Sequence, residues 1–381
     1  MLLMTLCQEQ EVKTMNNFSN LLKNVDKVIV TVVILLAVIS VLIIGSTSIT
    51  TGFFSRDVIV QIAAYIIGAI AILFILSFSY TMFSGMEKYL YILSIILLFL
   101  VYIPGLGIEQ FSSRAWINLG FVTVQPSEIV KILFILIMAG YLNEHKDDLY
   151  NFKGLIKAGM VAAPIILIIL KEDLGSALVF AAIWVAMIFF AGIDLKVFAE
   201  FFALVAAAVP VAFLFMADYQ KERIEAFLHP SNLNLSGNYQ VWQSKVAIGS
   251  GGVFGKGLFH GTQKSLDFIP VMTSDFFFSV LGEELGLIGG LVVIGLFAIL
   301  LTRMAHVVRD AIDFYGALIV VGVIGMFTFQ IFENIAMTIG LMPVTGITLP
   351  FLSYGGSSIV SNMIALGFVL NVCIRNKSIN F

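Results

Sequence analysis

The chain has 381 residues, of which 60% are hydrophobic and 12% charged, with a formal net charge of -3. Soluble domains carry roughly a quarter charged residues, so this composition excludes a chain that lives mainly in water. The few basic residues are scattered, which excludes a nucleic-acid surface, and Cys7 and Cys373 stand in opposite tails, which excludes a disulfide framework or a sulfur-ligated metal.

Residues 1–27 are polar and carry Lys13, Lys23 and Lys27; Met15 precedes a plausible start, so the first fourteen residues read as a disordered extension. The apolar run that follows has no small-residue cleavage pattern and reads as an uncleaved first span. A helix needs about 20 apolar residues to cross the hydrocarbon core. Ten runs of that kind occur, at 28–47, 58–79, 88–104, 126–142, 155–170, 174–193, 196–217, 276–302, 314–340 and 355–374. The expected fold is all-α: a polytopic membrane domain over 28–374, flanked by tails at 1–27 and 375–381. One face collects twelve Lys and Arg in its tails and short loops, while the short loops of the other hold Arg56, Arg114 and Lys171. The positive-inside rule then puts both termini in the cytoplasm and the long loop between spans seven and eight, 218–275, outside.

The fourth span opens at Gln125-Pro126-Ser127-Glu128, with proline suited to a first helical turn. The fifth contains Pro164 and leads through Lys171-Glu172 to Asp173, which opens the sixth. Short helices with polar tips end in protein-lined cavities, because lipid cannot satisfy their exposed backbone groups. A water-accessible cavity open to the outside follows. Intramembrane charge costs at least about 2.5–3.5 kcal/mol and asks for a partner or a purpose. Glu128 and Lys131, three apart on one helix, suit either a structural ion pair or a substrate site. Asp173 suits a helix cap, and Glu283, Glu284 and Glu333 suit packing or structural roles as well as binding.

In the long loop, 219–229 and 240–248 show helical apolar spacing and are expected to form interfacial helices. The stretch Gly249 to Gly257 lacks the glycine and Ser/Thr that a nucleotide-binding loop needs around Gly255-Lys256, so its glycines signal tight turns or close approach. The loop closes on Thr273-Ser274-Asp275 before Phe276-Phe277-Phe278, and local pattern alone reads those polar residues as a helix N-cap.

Taken together, the segments Arg114-Ala115-Trp116-Ile117-Asn118, Gln125-Pro126-Ser127-Glu128 with Lys131, Asp173-Leu174-Gly175-Ser176, Gln243-Ser244-Lys245, Gly255-Lys256-Gly257, Ser274-Asp275-Phe276, Gly282-Glu283-Glu284, Pro343-Val344-Thr345-Gly346 and Ser353-Tyr354-Gly355-Gly356 occur in a family-specific order. The chain resembles the SEDS family, which serves shape, elongation, division and sporulation. His260-Gly261-Thr262-Gln263 resembles its RodA elongation branch more than its FtsW division branch. The resemblance implies polymerisation of lipid II into peptidoglycan strands at the outer face of the bacterial cytoplasmic membrane, with a class B penicillin-binding transpeptidase and other elongation proteins as partners. It implies Asp275 as the catalytic aspartate, the base that takes the proton of the acceptor sugar hydroxyl, although the glutamate and histidine usual just before it are absent here. It also shows Ala115 inserted between Arg114 and Trp116, where the family commonly joins arginine to tryptophan. The candidate substrate-binding set is Arg114, Trp116, Glu128, Lys131, Asp173, Lys245, Lys256, Glu283, Glu333 and Ser353. Arg114, Lys131 and Lys245 are the candidates for the leaving diphosphate, as is a divalent cation such as Mg or Mn, for which no ligand cluster appears in the sequence. Helices four and five are candidate walls for lateral grooves that take prenyl chains. The rival readings are a flippase for the same lipid-linked precursor, using the intramembrane charges as a pathway, and a non-catalytic scaffold for cell-wall enzymes.

Overall fold

The computed structural model describes residues 24–47, 53–110, 113–118, 120, 123–148, 151–235, 237–266, 268 and 271–377. The expected extension and most of the N-terminal tail, and the last residues of the C-terminal tail, lie outside them. Each of the ten apolar runs forms a helix. The first seven are α1 (Lys27–Thr47), α2 (Arg56–Ser77), α3 (Glu87–Phe99), α4 (Pro126–Glu144), α5 (Phe152–Glu172), α6 (Leu174–Phe190) and α7 (Leu195–Phe215). The loop after them carries α8 (Asp218–Leu228), α9 (Asn238–Gly251) and the single turn α10 (Thr262–Ser265). The last three runs are α11 (Phe277–Arg309), α12 (Phe314–Thr338) and α13 (Gly356–Lys377). Among the described residues, seven helices are long and apolar enough to cross a membrane, and α6 is a shorter apolar helix of 17 residues. The chain is a multi-pass membrane protein.

The two loop helices start and end within a few residues of their expected limits, because their apolar spacing is strong enough to read locally. Other elements depart from expectation. α4 and α5 run to 19 and 21 residues, longer than the apolar runs suggest, since Glu144 at one end and Lys171-Glu172 at the other continue the helices past the lipid-like stretch. α11 runs on to Arg309 rather than ending near residue 302. A small antiparallel sheet, β1 (Gly107–Gln110), β2 (Ser113–Asn118) and β3 (Thr123–Val124), joins α3 to α4, with Ile108 opposite Trp116 and Ile117 opposite Val124.

The helices differ in what they face. α12 and α4 form the centre, with Phe134, Ile135, Leu318, Met326 and Phe327 wholly or almost wholly buried against α6 and α13. α1, α2 and the lower part of α11 present Ile34, Ile59, Ile66, Phe74, Leu291 and Val292 outward, as lipid-facing surfaces do. Buried polar side chains tie the helices together where the hydrophobic effect cannot, since lipid is as apolar as leucine. Gln61 on α2 donates to the Ser40 hydroxyl of α1 at 3.0 Å and to the Ser353 carbonyl at 3.2 Å. Ser361 of α13 donates to the Glu128 carbonyl of α4 at 2.6 Å. The result is a rigid frame whose α4, α6 and α11 start near the face that carries the long loop.

Candidate active site

A cavity of about 580 Å³ opens among these helix ends. Its size suits a small-molecule or head-group site. Three elements line its sides: Trp116 and Asn118 from β2, Glu128 and Lys131 from the first turns of α4, and Asp173 and Ser176 from the start of α6. Arg223 from α8, Ser274 and Asp275 before α11, and Thr345 to Thr348 close it. Arg56 and Tyr354 stand at its margin.

Asp275 does not cap the helix that follows it. The capping position of α11 falls on Phe276, which makes no side-chain cap bond. The Asp275 carboxylate instead accepts from the Ser274 hydroxyl at 2.9 Å and reaches into the cavity, with Gly346 directly alongside it. Backbone clamps hold it there: Asn334 of α12 donates to the Asp275 carbonyl at 2.9 Å, Ser353 donates to the Ser274 carbonyl at 2.5 Å, and the Tyr354 amide donates to the Thr273 carbonyl at 2.8 Å. Burial pushes the Asp275 carboxyl above the ordinary carboxylate range. The Ser274 hydroxyl and the Arg223 charge pull it back only in part, and Asp173 pushes it further up.

Asp173 is a helix cap that lies on the cavity wall. It caps α6, accepting from the Ser176 amide at 3.0 Å and the Ser176 hydroxyl at 2.6 Å, and takes the Gln125 side-chain amide at 3.0 Å, all on the cavity wall. Glu128 and Lys131 form a buried ion pair at 2.9 Å whose side chains are 8% and 2% exposed. An ammonium has three donors, and the Glu128 bond uses one of them.

The remaining candidates separate. Arg114 is exposed and its amide donates to Glu172 at 3.0 Å. It borders a smaller apolar recess made by Leu98, Val101, Pro126, Ile168 and Ile169 between α3, α4 and α5, which meets the cavity at Ala115, Glu172 and Asp173. Ser353 is buried behind the wall as a backbone clamp. Glu333 is fully buried on α12, where the Thr345 hydroxyl donates to it. Lys245 is exposed on α9, beside Gly340. Lys256 lies outside the cavity, bound at 2.7 Å to Glu283, which also accepts from the Thr262 amide at 2.7 Å and the Gln263 amide at 2.9 Å. Those two residues tie the loop to α11 rather than meet a ligand in the cavity. Arg223 went unnoticed in the sequence. It donates to the Thr345 carbonyl at 3.1 Å, and nothing local distinguishes it from the other charges of a loop whose acids and bases balance. Among the described residues no group of three or more His, Cys, Asp or Glu is placed to hold a metal ion.

The profile of a family described as a cell cycle protein, FtsW/RodA/SpoVE, matches residues 26–378. The chain is 39% identical over 308 residues to stage V sporulation protein E of Bacillus subtilis, covering 80% of this chain and 84% of that one. It is 35% identical over 299 residues to the peptidoglycan glycosyltransferase MrdB of Escherichia coli, covering 78% and 80%. Among solved structures, a peptidoglycan synthase complex that coordinates polymerization and crosslinking contains a chain of TM-score 0.79 and 27% identity, with 92% of this chain and 98% of that chain covered. The rod shape determining protein RodA of Thermus thermophilus gives a TM-score of 0.66 at 26% identity, covering 92% and 96%.

Proposed function

The chain belongs to the FtsW/RodA/SpoVE family, and from that premise we propose that it is a peptidoglycan glycosyltransferase that polymerises lipid II, with the cavity around Asp275 as its active site. The Lys and Arg distribution supports both termini in the cytoplasm and the long loop outside, in the cytoplasmic membrane of a bacterium. A class B penicillin-binding transpeptidase is its partner, as the likeness to a peptidoglycan synthase complex supports.

The observation that carries the reading is the carboxylate of Asp275, turned away from its helix and into a cavity that also holds Lys131 and Arg223. Glycosyl transfer from a prenyl diphosphate needs one base and several cations, because the diphosphate leaves without a proton. Asp275 accepts the proton of the acceptor sugar hydroxyl as its oxygen bonds to the anomeric carbon of the donor, and the bond from that carbon to the diphosphate breaks. Its raised carboxyl makes it a better base than a free aspartate once ionised. Lys131, Arg223 and Arg56 supply fixed positive charge for the departing diphosphate. We assign the prenyl chain to the apolar flanks of α4 and α5, where a small recess borders the cavity at Ala115, Glu172 and Asp173.

The test uses purified protein, alone and with its transpeptidase, incubated with lipid II in detergent and assayed for polymer. Polymer supports the enzyme. Transbilayer movement without polymer would establish the flippase instead, and stable partner binding with neither activity would establish a scaffold.

A further inference from the structure

α1 and α11 lie side by side and are clipped together at both ends. At one end Asp26 pairs with Arg303 at 2.5 Å. At the other, fully buried Lys264 donates to the Ser46 carbonyl at 2.8 Å and pairs with fully buried Glu284. Twenty residues separate Asp26 from Ser46 and nineteen separate Glu284 from Arg303. At 1.5 Å per residue both stretches measure about 30 Å, the thickness of a hydrocarbon core. The clips are thus spaced as its two boundaries would be.

On this frame the first turns of α11 stand above the hydrocarbon, and protein covers them: every residue from Phe277 to Glu284 is buried. The helix then breaks at Gly286, whose φ of +65° only glycine adopts readily. The backbone groups freed by the break are taken by the loop after α9. Lys256 and Gly257 amides donate to the Glu283 and Glu284 carbonyls, each at 3.0 Å, while the Leu287 and Ile288 amides donate to the Gly252 and Val253 carbonyls at 2.9 and 3.2 Å. Below the break α11 turns Leu287, Ile288, Leu291 and Val292 outward, each 46–58% exposed. Docking at that level carries Val253 to the rim of the lipid-facing surface at 53% exposure, and Phe254 at 81%.

We propose that Val253 and Phe254 form a membrane anchor, seated at the headgroup–acyl boundary of the leaflet on the loop side. The apolar tip continues the lipid-facing surface of α11 directly, and the ion-paired ends of α1 and α11 place it at the hydrocarbon boundary. Through the loop at 252–257 it holds the start of α11, beside Asp275, at a fixed height over the lipid surface. The consequence for polymerisation rests on the function proposed above; the depth of the tip does not.

A nitroxide attached at Phe254→Cys, or at Val253→Cys as a second variant, in full-length protein carrying Cys7→Ser and Cys373→Ala, reports that depth in phosphatidylcholine–phosphatidylglycerol proteoliposomes. Power saturation should show collision with oxygen exceeding collision with a water-soluble nickel chelate, as at Leu291→Cys on α11. Leu233→Cys, an exposed loop position, should show the reverse. Nickel access at 253 and 254 like that at 233 overturns the anchor. So does shielding from both reagents, which means that a second copy covers the tip. Phe254→Glu should polymerise lipid II like the parent in detergent and at least several-fold more slowly in proteoliposomes, with Phe254→Leu keeping parental rates in both. Equal rates for Phe254→Glu and its parent in proteoliposomes, or equal loss in detergent, overturn the role in synthesis. A parent that makes no polymer at all sinks the proposed function and leaves the depth measurement to decide the anchor.

Discussion

The Glu128–Lys131 pair separates stability from catalysis. Both side chains are almost wholly buried, so Lys131→Met leaves the Glu128 charge without its partner in a low-dielectric wall. Removing one member of a buried pair costs about 3–5 kcal/mol, whereas replacing both by neutral groups of similar volume is close to neutral. Unfolding of Lys131→Met in dodecylmaltoside–SDS mixed micelles should therefore show a loss of about 3–5 kcal/mol, or roughly two to four powers of ten in the folding equilibrium. Glu128→Gln should show a loss of similar order. The double variant should return to within about 1 kcal/mol of the parent, giving a coupling far outside the additivity of independent sites. Polymer formation should follow a different pattern. Lys131 lines the cavity with donors to spare, and loss of one donor to developing charge costs about 10²–10³ in rate, so the double variant should regain stability and stay at least about 100-fold slow. Recovery of both stability and polymer formation would reduce the pair to a structural strut. Two singles that each cost under about 1 kcal/mol and simply add would refute the coupling itself.

Asp275→Asn should lower polymer formation by about 10²–10⁴, the usual worth of a positioned base. The same variant should melt at a higher temperature than its parent at pH 8. The Asp275 carboxyl titrates above its ordinary value of 3.8 in the fold, so its contribution to stability is complete below that value and is lost as pH rises through the raised one. Asparagine stays neutral throughout, and the gap in melting temperature should close below about pH 3.8; a parent that melts no lower than the variant at pH 8 contradicts the raised carboxyl. Arg223→Gln removes a charge that favours the ionised form of Asp275, so the acid limb of the pH–rate profile should move to higher pH as the maximal rate falls. An unmoved limb would leave Arg223 with only its bond to the Thr345 carbonyl. Gly286→Ala forces a left-handed backbone and puts a new methyl carbon 2.3 Å from the Gly255 nitrogen. The strain alone is worth about 1–3 kcal/mol, and the loop at 252–257 should come free and become sensitive to protease, with Gly295→Ala, which meets open space, as the control.

What could be read in the sequence followed from what the bilayer demands. Apolar runs near the length of a hydrocarbon core declare themselves one at a time, so all ten helices and both loop helices were legible. Features made by distant partners were not. The break in α11 lies inside Glu284-Leu285-Gly286-Leu287-Ile288, an unremarkable apolar helix start, and becomes a break only because residues 252–257 take its backbone groups. The sheet between α3 and α4 is likewise made by pairing, with strands as short as Thr123–Val124 carrying no pattern of their own. Glu283 resembled a cavity residue because charge in a membrane asks for a purpose, and it is held instead by Lys256 and the Thr262 and Gln263 amides. Asp275 shows the limit most sharply. Thr273-Ser274-Asp275 before an apolar helix is the pattern of a cap, and short-range physics has no reason to read it otherwise. The direction of the carboxylate is set from far along the chain, by Asn334 on the Asp275 carbonyl and Ser353 on the Ser274 carbonyl, which hold the backbone so that the side chain faces the cavity. A residue that would cap in isolation is thereby free to meet a substrate. Any substitution of Asn334 or Ser353 that lets the carboxylate swing back onto α11 should silence the site without touching it.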